Sequence, residues 1–168
     1  MAKRLFLIRH SKANEGLPGS SDFTRTLKES GKADSQMMAE RLMEKGLVPK
    51  HIISSPAARA LSTAKVFSEV WGIAAAEITT EIFIYEADIQ SLLSICNKLD
   101  NKINSVAIFG HNPGITEFAN YLTDEGIVNM PTSSVVVIDF PDNNWKSLNY
   151  QTGGVLLFDY PKSTKDGL

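Results

Sequence analysis

The chain of 168 residues is long enough to bury a core without metals or disulfides, and short enough for one domain. Its formal net charge of −2 gives no broad positive field for nucleic acid or a membrane surface. Its single cysteine, Cys96, excludes an intramolecular disulfide, and no apolar run approaches the roughly 18 residues of a membrane-spanning helix.

Leu5 to Ile8 is a continuous apolar run, the pattern of a strand buried on both faces. The basic pair before it loosely resembles a signal peptide, but Arg9 and His10 close the run too soon; a cytoplasmic setting is expected. Residues 14–26 are rich in Gly, Ser and Pro and read as a long loop. From Leu27 to Lys45 the pairs Ala33/Met37 and Met38/Leu42 predict an amphipathic helix closed by Gly46. His51 to Ser54 reads as a second strand, and Pro56 as the opening of a helix with Ala60, Ala64, Phe67 and Trp71 inward.

Glu81 to Tyr85 is expected to be a third strand. Asp88 would cap a helix whose stripe is Leu92, Ile95, Cys96 and Leu99, with Cys96 a core residue. Ser105 to Phe109 follows as a fourth strand, and Pro113 starts a helix with Ile115, Phe118, Ala119 and Leu122 inward. Ser133 to Phe140, Trp145 to Tyr150 and Val155 to Tyr160 read as antiparallel strands joined by short polar turns. The expected fold is a three-layer α/β domain over residues 1–161: a mostly parallel sheet, helices on both faces and antiparallel C-terminal strands. Residues 162–168 are expected to form a flexible tail.

Such sheets bind ligands outside the carboxyl ends of their strands. The residues arriving there are Arg9 and His10, then Ser54, Ser55 and Pro56, then Tyr85 and Glu86, then Gly110, His111 and Asn112. Arg59 lies in the first turn of the next helix. Two His, two Arg and a carboxylate suit phosphoryl chemistry. The guanidinium fork pairs with phosphate oxygens, and a neutral imidazole can attack phosphorus. Taken singly, each residue has an ordinary structural explanation, which His51 keeps; their convergence on one edge carries the argument. No GxxxxGK[ST], HExxH, CxxC or GxGxxG occurs, so neither a metal nor another cofactor is expected.

Four blocks then resemble a known family. LIRHSKA at 7–13 resembles the arginine-histidine signature of the histidine phosphatase superfamily, and DFTRTLKESG at 22–31 is similar to its SixA-like phosphohistidine phosphatase branch. SSPAARALSTA at 54–64 and FGHNPG at 109–114 resemble the segments carrying the second phosphate-binding Arg and the second catalytic His. The resemblance implies a phosphoglycerate mutase-like fold with His10 as nucleophile. It also implies Arg9, Arg59 and His111 around the phosphoryl group, and Glu86 near the position of a proton donor. Asp22 and Arg25 match a loop pattern of the branch. Arg25 is a candidate to hold substrate or to form an ion pair at the helix entry, and Asn14 is a candidate phosphate contact. Ser11 stands where the superfamily often has Gly, which raises the question of its backbone geometry.

One short helix between Tyr85 and Ser105 leaves no room for a cap domain, so an open pocket is expected. An open pocket suits phosphohistidine on a partner protein. A small phosphate ester as substrate, or phosphate binding without turnover, are the alternatives. No nucleic-acid or membrane partner is expected.

Overall fold

A computed structural model describes residues 2–162. The expected tail thus lies outside the described residues, apart from Lys162. Strand β1 (Lys3–Arg9) is central, and its alternation divides the core. Leu5 and Leu7 face one layer, with Val106 and Ile108. Phe6 and Ile8 face the other, with Ile52 and Phe109. Helix α1 (Glu29–Glu44), strand β2 (His51–Ser54) and helix α2 (Ala58–Trp71) follow. Met38 and Leu42 of α1 and Ala64, Phe67 and Trp71 of α2 cover the Phe6 face. Their spacing of three and four in the sequence is therefore the spacing of a buried stripe on each helix. Pro56 lies just before α2 rather than inside its first turn.

The third strand departs from expectation. Strand β3 is only Thr79–Thr80, and residues 82–84 form a 3₁₀ turn. The Glu81 carboxylate accepts from the Phe83 N–H at 3.3 Å, and the Tyr85 N–H donates to the Ile82 carbonyl at 3.0 Å. These local bonds curl the chain where an extended ladder was expected. Helix α3 (Ile89–Asn97), capped by Asp88, strand β4 (Ser105–Gly110) and helix α4 (Gly114–Leu122) come next. Leu92, buried Cys96, Ile115, Phe118 and Leu122 cover the Leu5 face.

Strands β5 (Val135–Phe140) and β6 (Gly154–Asp159) complete the sheet, in the order β3-β2-β4-β1-β5-β6. The first four run parallel, while β5 and β6 pair antiparallel. The strand expected at 145–150 is instead a 3₁₀ turn over Trp145–Ser147. Trp145 and Leu148 are both buried, and a spacing of three suits a turn, not a strand. Only one short 3₁₀ turn and α3 lie between β3 and β4, so no cap domain stands there. Among the described residues, no helix is long and apolar enough to cross a membrane.

Candidate active site

The parallel strands deliver their ends to one edge, and backbone bonds lock them together. The His10 N–H donates to the Gly110 carbonyl at 3.0 Å, Ser55 N–H to Phe109 at 3.0 Å, and Arg9 N–H to Ser134 at 3.1 Å. His10 and His111 thereby stand with ring centroids 5.2 Å apart, both buried.

Each ring has a defined partner. Nδ1 of His10 lies 2.8 Å from the Ser11 carbonyl oxygen, which can only accept, so Nδ1 carries the proton and Nε2 keeps its lone pair. Nε2 of His111 lies 2.8 Å from Ser55 Oγ. Ser55 Oγ already accepts from the Ala57 N–H, so its own proton is best used toward His111. That places the ring proton of His111 on Nδ1, which is buried and has no partner among the described residues. Burial is the main reason that His10 is pushed down to about 4 and His111 to about 3. The charges of Arg59 and Arg9 add to it for both rings, and His10 adds to it for His111. Both rings are therefore neutral at neutral pH.

The two arginines frame the histidines. Arg9 donates to the Met130 carbonyl at 2.9 Å, while its buried Nε has no partner among the described residues. Arg59 donates to the Asp22 carbonyl at 2.8 Å and to Asp22 Oδ2 at 2.9 Å, and its buried Nε also has no partner among them. Burial, then the charge of Arg59, lowers the pKa of Arg9, although a guanidinium stays charged at any ordinary pH. Arg9 Nε, Arg59 Nε and His111 Nδ1 are thus open N–H donors, the complement of a phosphoryl group.

A cavity of 360 Å³ opens beside them, lined by Asp22, Arg59, Tyr85, Glu86, His111 and Asn112 among others. Larger depressions lie along α3 (590 Å³) and at the opposite edge of the sheet (730 Å³). Neither is lined by any residue predicted for the site.

Glu86 sits at the rim, exposed, at φ 54°, and its side chain makes no hydrogen bond among the described residues. The close contact that holds its loop is at Gly114, where a Cβ would meet the Ala87 carbonyl at 2.3 Å. Arg25 donates to the Asn14 carbonyl and to Asp22 Oδ1, which is the helix-entry ion pair, yet its charge also reaches His10. Asn14 is exposed and donates its amide to Thr26 Oγ1 and the Leu27 carbonyl; these bonds close the loop and spend the side chain away from the cavity. Ser11 has no positive φ, which settles its backbone geometry.

Sequence reasoning gave no role to Ser55 or Tyr85 and did not single out the Met130 carbonyl. Ser55 had a usable signal, since it follows β2 at the same edge. Tyr85 donates to Asp22 Oδ2 at 2.8 Å and packs edge-on against His111. That hydrogen bond, followed by the one from Arg25, holds the Asp22 carboxyl down to about 2. Among the described residues, no group of three or more His, Cys, Asp or Glu is placed to hold a metal ion.

A family model described as histidine phosphatase superfamily (branch 1) matches residues 5–92, just over half of the chain. An uncharacterised chloroplastic protein of Arabidopsis thaliana is 26% identical over 156 residues, spanning 87% of this chain and 70% of its own length. A protein from Agrobacterium tumefaciens designated phosphohistidine phosphatase SixA superposes with a TM-score of 0.80 at 27% identity, covering 95% of this chain and 98% of that one. A SixA designate from Nakamurella multipartitia superposes at 0.82 with 19% identity, covering 97% and 98%, a likeness of fold.

Proposed function

The chain belongs to the histidine phosphatase superfamily, and on that premise we propose that it hydrolyses phosphohistidine on a partner protein, with His10 as nucleophile. The observation that carries this is His10 itself. It is neutral, its Nδ1 proton is engaged by the Ser11 carbonyl, its ring stands 5.2 Å from that of His111, and the charges of Arg59 and Arg9 act on it.

In the first step Nε2 of His10 bonds to phosphorus. The P–N bond to the substrate imidazole breaks, and its electron pair goes to that nitrogen, which takes a proton. Water then attacks phosphorus, the P–Nε2 bond breaks and its pair returns to His10, releasing inorganic phosphate. Arg9, Arg59 and His111 bind the phosphoryl oxygens through both steps, where fixed donors lower the barrier most. Phosphate brings negative charge beside His111 and so favours its protonated form, which lets His111 bind as a cation when substrate is present, while His10 attacks as the neutral imidazole. Arg25 helps hold substrate from the loop, and Asn14 acts by closing that loop.

A protein substrate fits the rim. Exposed Leu17, Ile82, Phe83 and Val128 lie on the loops that carry Asp22, Tyr85 and the Met130 carbonyl. Exposed apolar side chains on the loops that supply the site suit a protein surface better than a small polar metabolite. Residues 1–161 form the catalytic domain, and a reducing cytoplasmic setting suits free, buried Cys96. The second reading, a small phosphate ester, is favoured by the Glu86 carboxylate at the cavity edge, since an alkoxide leaving group needs a proton. Turnover of a phosphohistidine protein, compared with sugar and nucleotide phosphates, tests the two. Faster hydrolysis of the P–N substrate supports the proposal, and turnover of one small ester alone overturns it.

A further inference from the structure

Next to His10, three hydroxyls meet below the surface. Ser11 Oγ lies 2.5 Å from Ser35 Oγ and 2.5 Å from Ser133 Oγ, and all three residues are fully buried. Phosphate binding as described above uses none of these side chains.

The direction of the protons follows from the donors available, since each hydroxyl has one. Ser35 gives its proton to the Gly31 carbonyl, one turn back in α1, at 2.9 Å. Ser35 must then accept from Ser11. Ser11, its proton spent, must accept from Ser133. The result is one directed chain from Ser133 through Ser11 and Ser35 to a carbonyl, in which each link polarises the next.

This chain ties together α1, the end of β1 and the segment before β5. Helix α1 can approach because residue 31 is glycine: a Cβ there would stand 2.3 Å from the Lys12 carbonyl oxygen. Ser133 sits at φ 65°, which a non-glycine residue holds only where its surroundings over-determine it. Its N–H donates to the His10 carbonyl at 3.2 Å. The Ser11 N–H donates to Thr63 Oγ1 at 2.9 Å, and Thr63 in turn donates to the Arg59 carbonyl at 2.7 Å. Ser11 is thus gripped at its N–H and its side chain. Its carbonyl is left to receive the Nδ1 proton of His10.

We infer that Ser11, Ser35 and Ser133 are positioning residues: their hydroxyl chain fixes the Ser11 carbonyl and, through it, the ring angle and tautomer of His10. The inference rests on the reading of His10 as nucleophile.

Two variants separate this role from packing. Ser11→Ala removes the centre of the chain. Ser133→Gly removes one hydroxyl but suits a left-handed backbone, so it relieves strain while breaking the relay. Nitrogen-15 NMR of His10 reads the tautomer, thermal unfolding reads the fold, and kinetics on a phosphohistidine peptide separates kcat from KM. In Ser133→Gly the Tm should hold or rise while His10 shifts from Nδ1–H to a mixture of tautomers. Its kcat should fall about 10–100-fold at little-changed KM. Ser11→Ala should show the same signature at a lower Tm. A folded variant of either kind in which His10 keeps the parent tautomer overturns the inference, whatever its rate. If the parent protein turns over no phosphorylated substrate, the phosphatase reading fails, and the NMR result still decides the positioning role.

Discussion

The floor of the site and its rim are built by different means. The floor is His10, His111, Arg9 and Ser55, set at the ends of β1, β2 and β4 and locked by ladder and cross-strand backbone bonds. The rim is Asp22, Arg25, Tyr85 and Glu86, set on loops and held largely by side chains meeting side chains. Of the floor groups His10, His111 and Ser55 are buried and Arg9 partly so, and the histidines are pushed far from their ordinary pKa values; the Asp22 carboxylate of the rim is half exposed. A rigid scaffold thus fixes the groups that would meet phosphorus on the proposed reading, while loops supply those that would meet the rest of the substrate. Arg59 joins the two, rooted in α2 and clamped by Asp22.

The contrast breaks most sharply at His10. His10→Ala should abolish turnover and the acid-labile, alkali-stable phosphoenzyme, and normal activity in that variant would end the mechanism. Arg59→Ala should lower kcat/KM by about 10²–10³ with the fold intact, the usual cost of one well-placed donor. An unchanged rate would make Arg59 merely the anchor of Asp22.

Acid should act through the floor. In the unfolded chain both histidines take a proton near 6.5, but in the fold only near 4 and 3. Between these values the unfolded state binds more protons, so this part of stability is full above pH 6.5 and is lost as pH falls toward 4 for His10 and toward 3 for His111. Denaturant melts across that window should show the slope, and His111→Asn should flatten it. A slope unchanged by that substitution would show that His111 is not held neutral.

Changes at the rim should be smaller. Glu86→Gln should cost only a few-fold on phosphohistidine, because imidazole leaves readily, and more on an alkyl phosphate. Equal large losses on both would move Glu86 into the essential machinery. Dialysis against a chelator should change nothing, since the arginines and His111 supply the positive field. Loss restored by one divalent ion would contradict this.

The same division explains what could be read from the sequence. Strands β1, β2 and β4 were legible as short apolar runs and the four helices as periodic stripes, because burial itself writes those patterns. Arg9, His10, Arg59 and His111 were legible because strand ends converge in this class of fold. At the rim, Glu86, Asp22 and Arg25 were named, but not what binds them together: Tyr85 finds Asp22 across 63 positions of sequence, and no local pattern records that meeting. Residues 81–85 and 145–150 looked extended because their apolar content suits a strand. Caps from Glu81 and Asn144 turned both into 3₁₀ geometry. The Ser133–Ser11 contact, 122 positions apart, was equally invisible.

The brevity of β3 has a bearing on how the molecule meets its own copies. An open sheet edge is a template on which another chain can add a strand. Thr79 and Thr80 are exposed, but they present only two residues of ladder before the turn at 82–84 ends it. The bend that carries Glu86 to the cavity therefore also guards this edge of the sheet against edge-to-edge self-association.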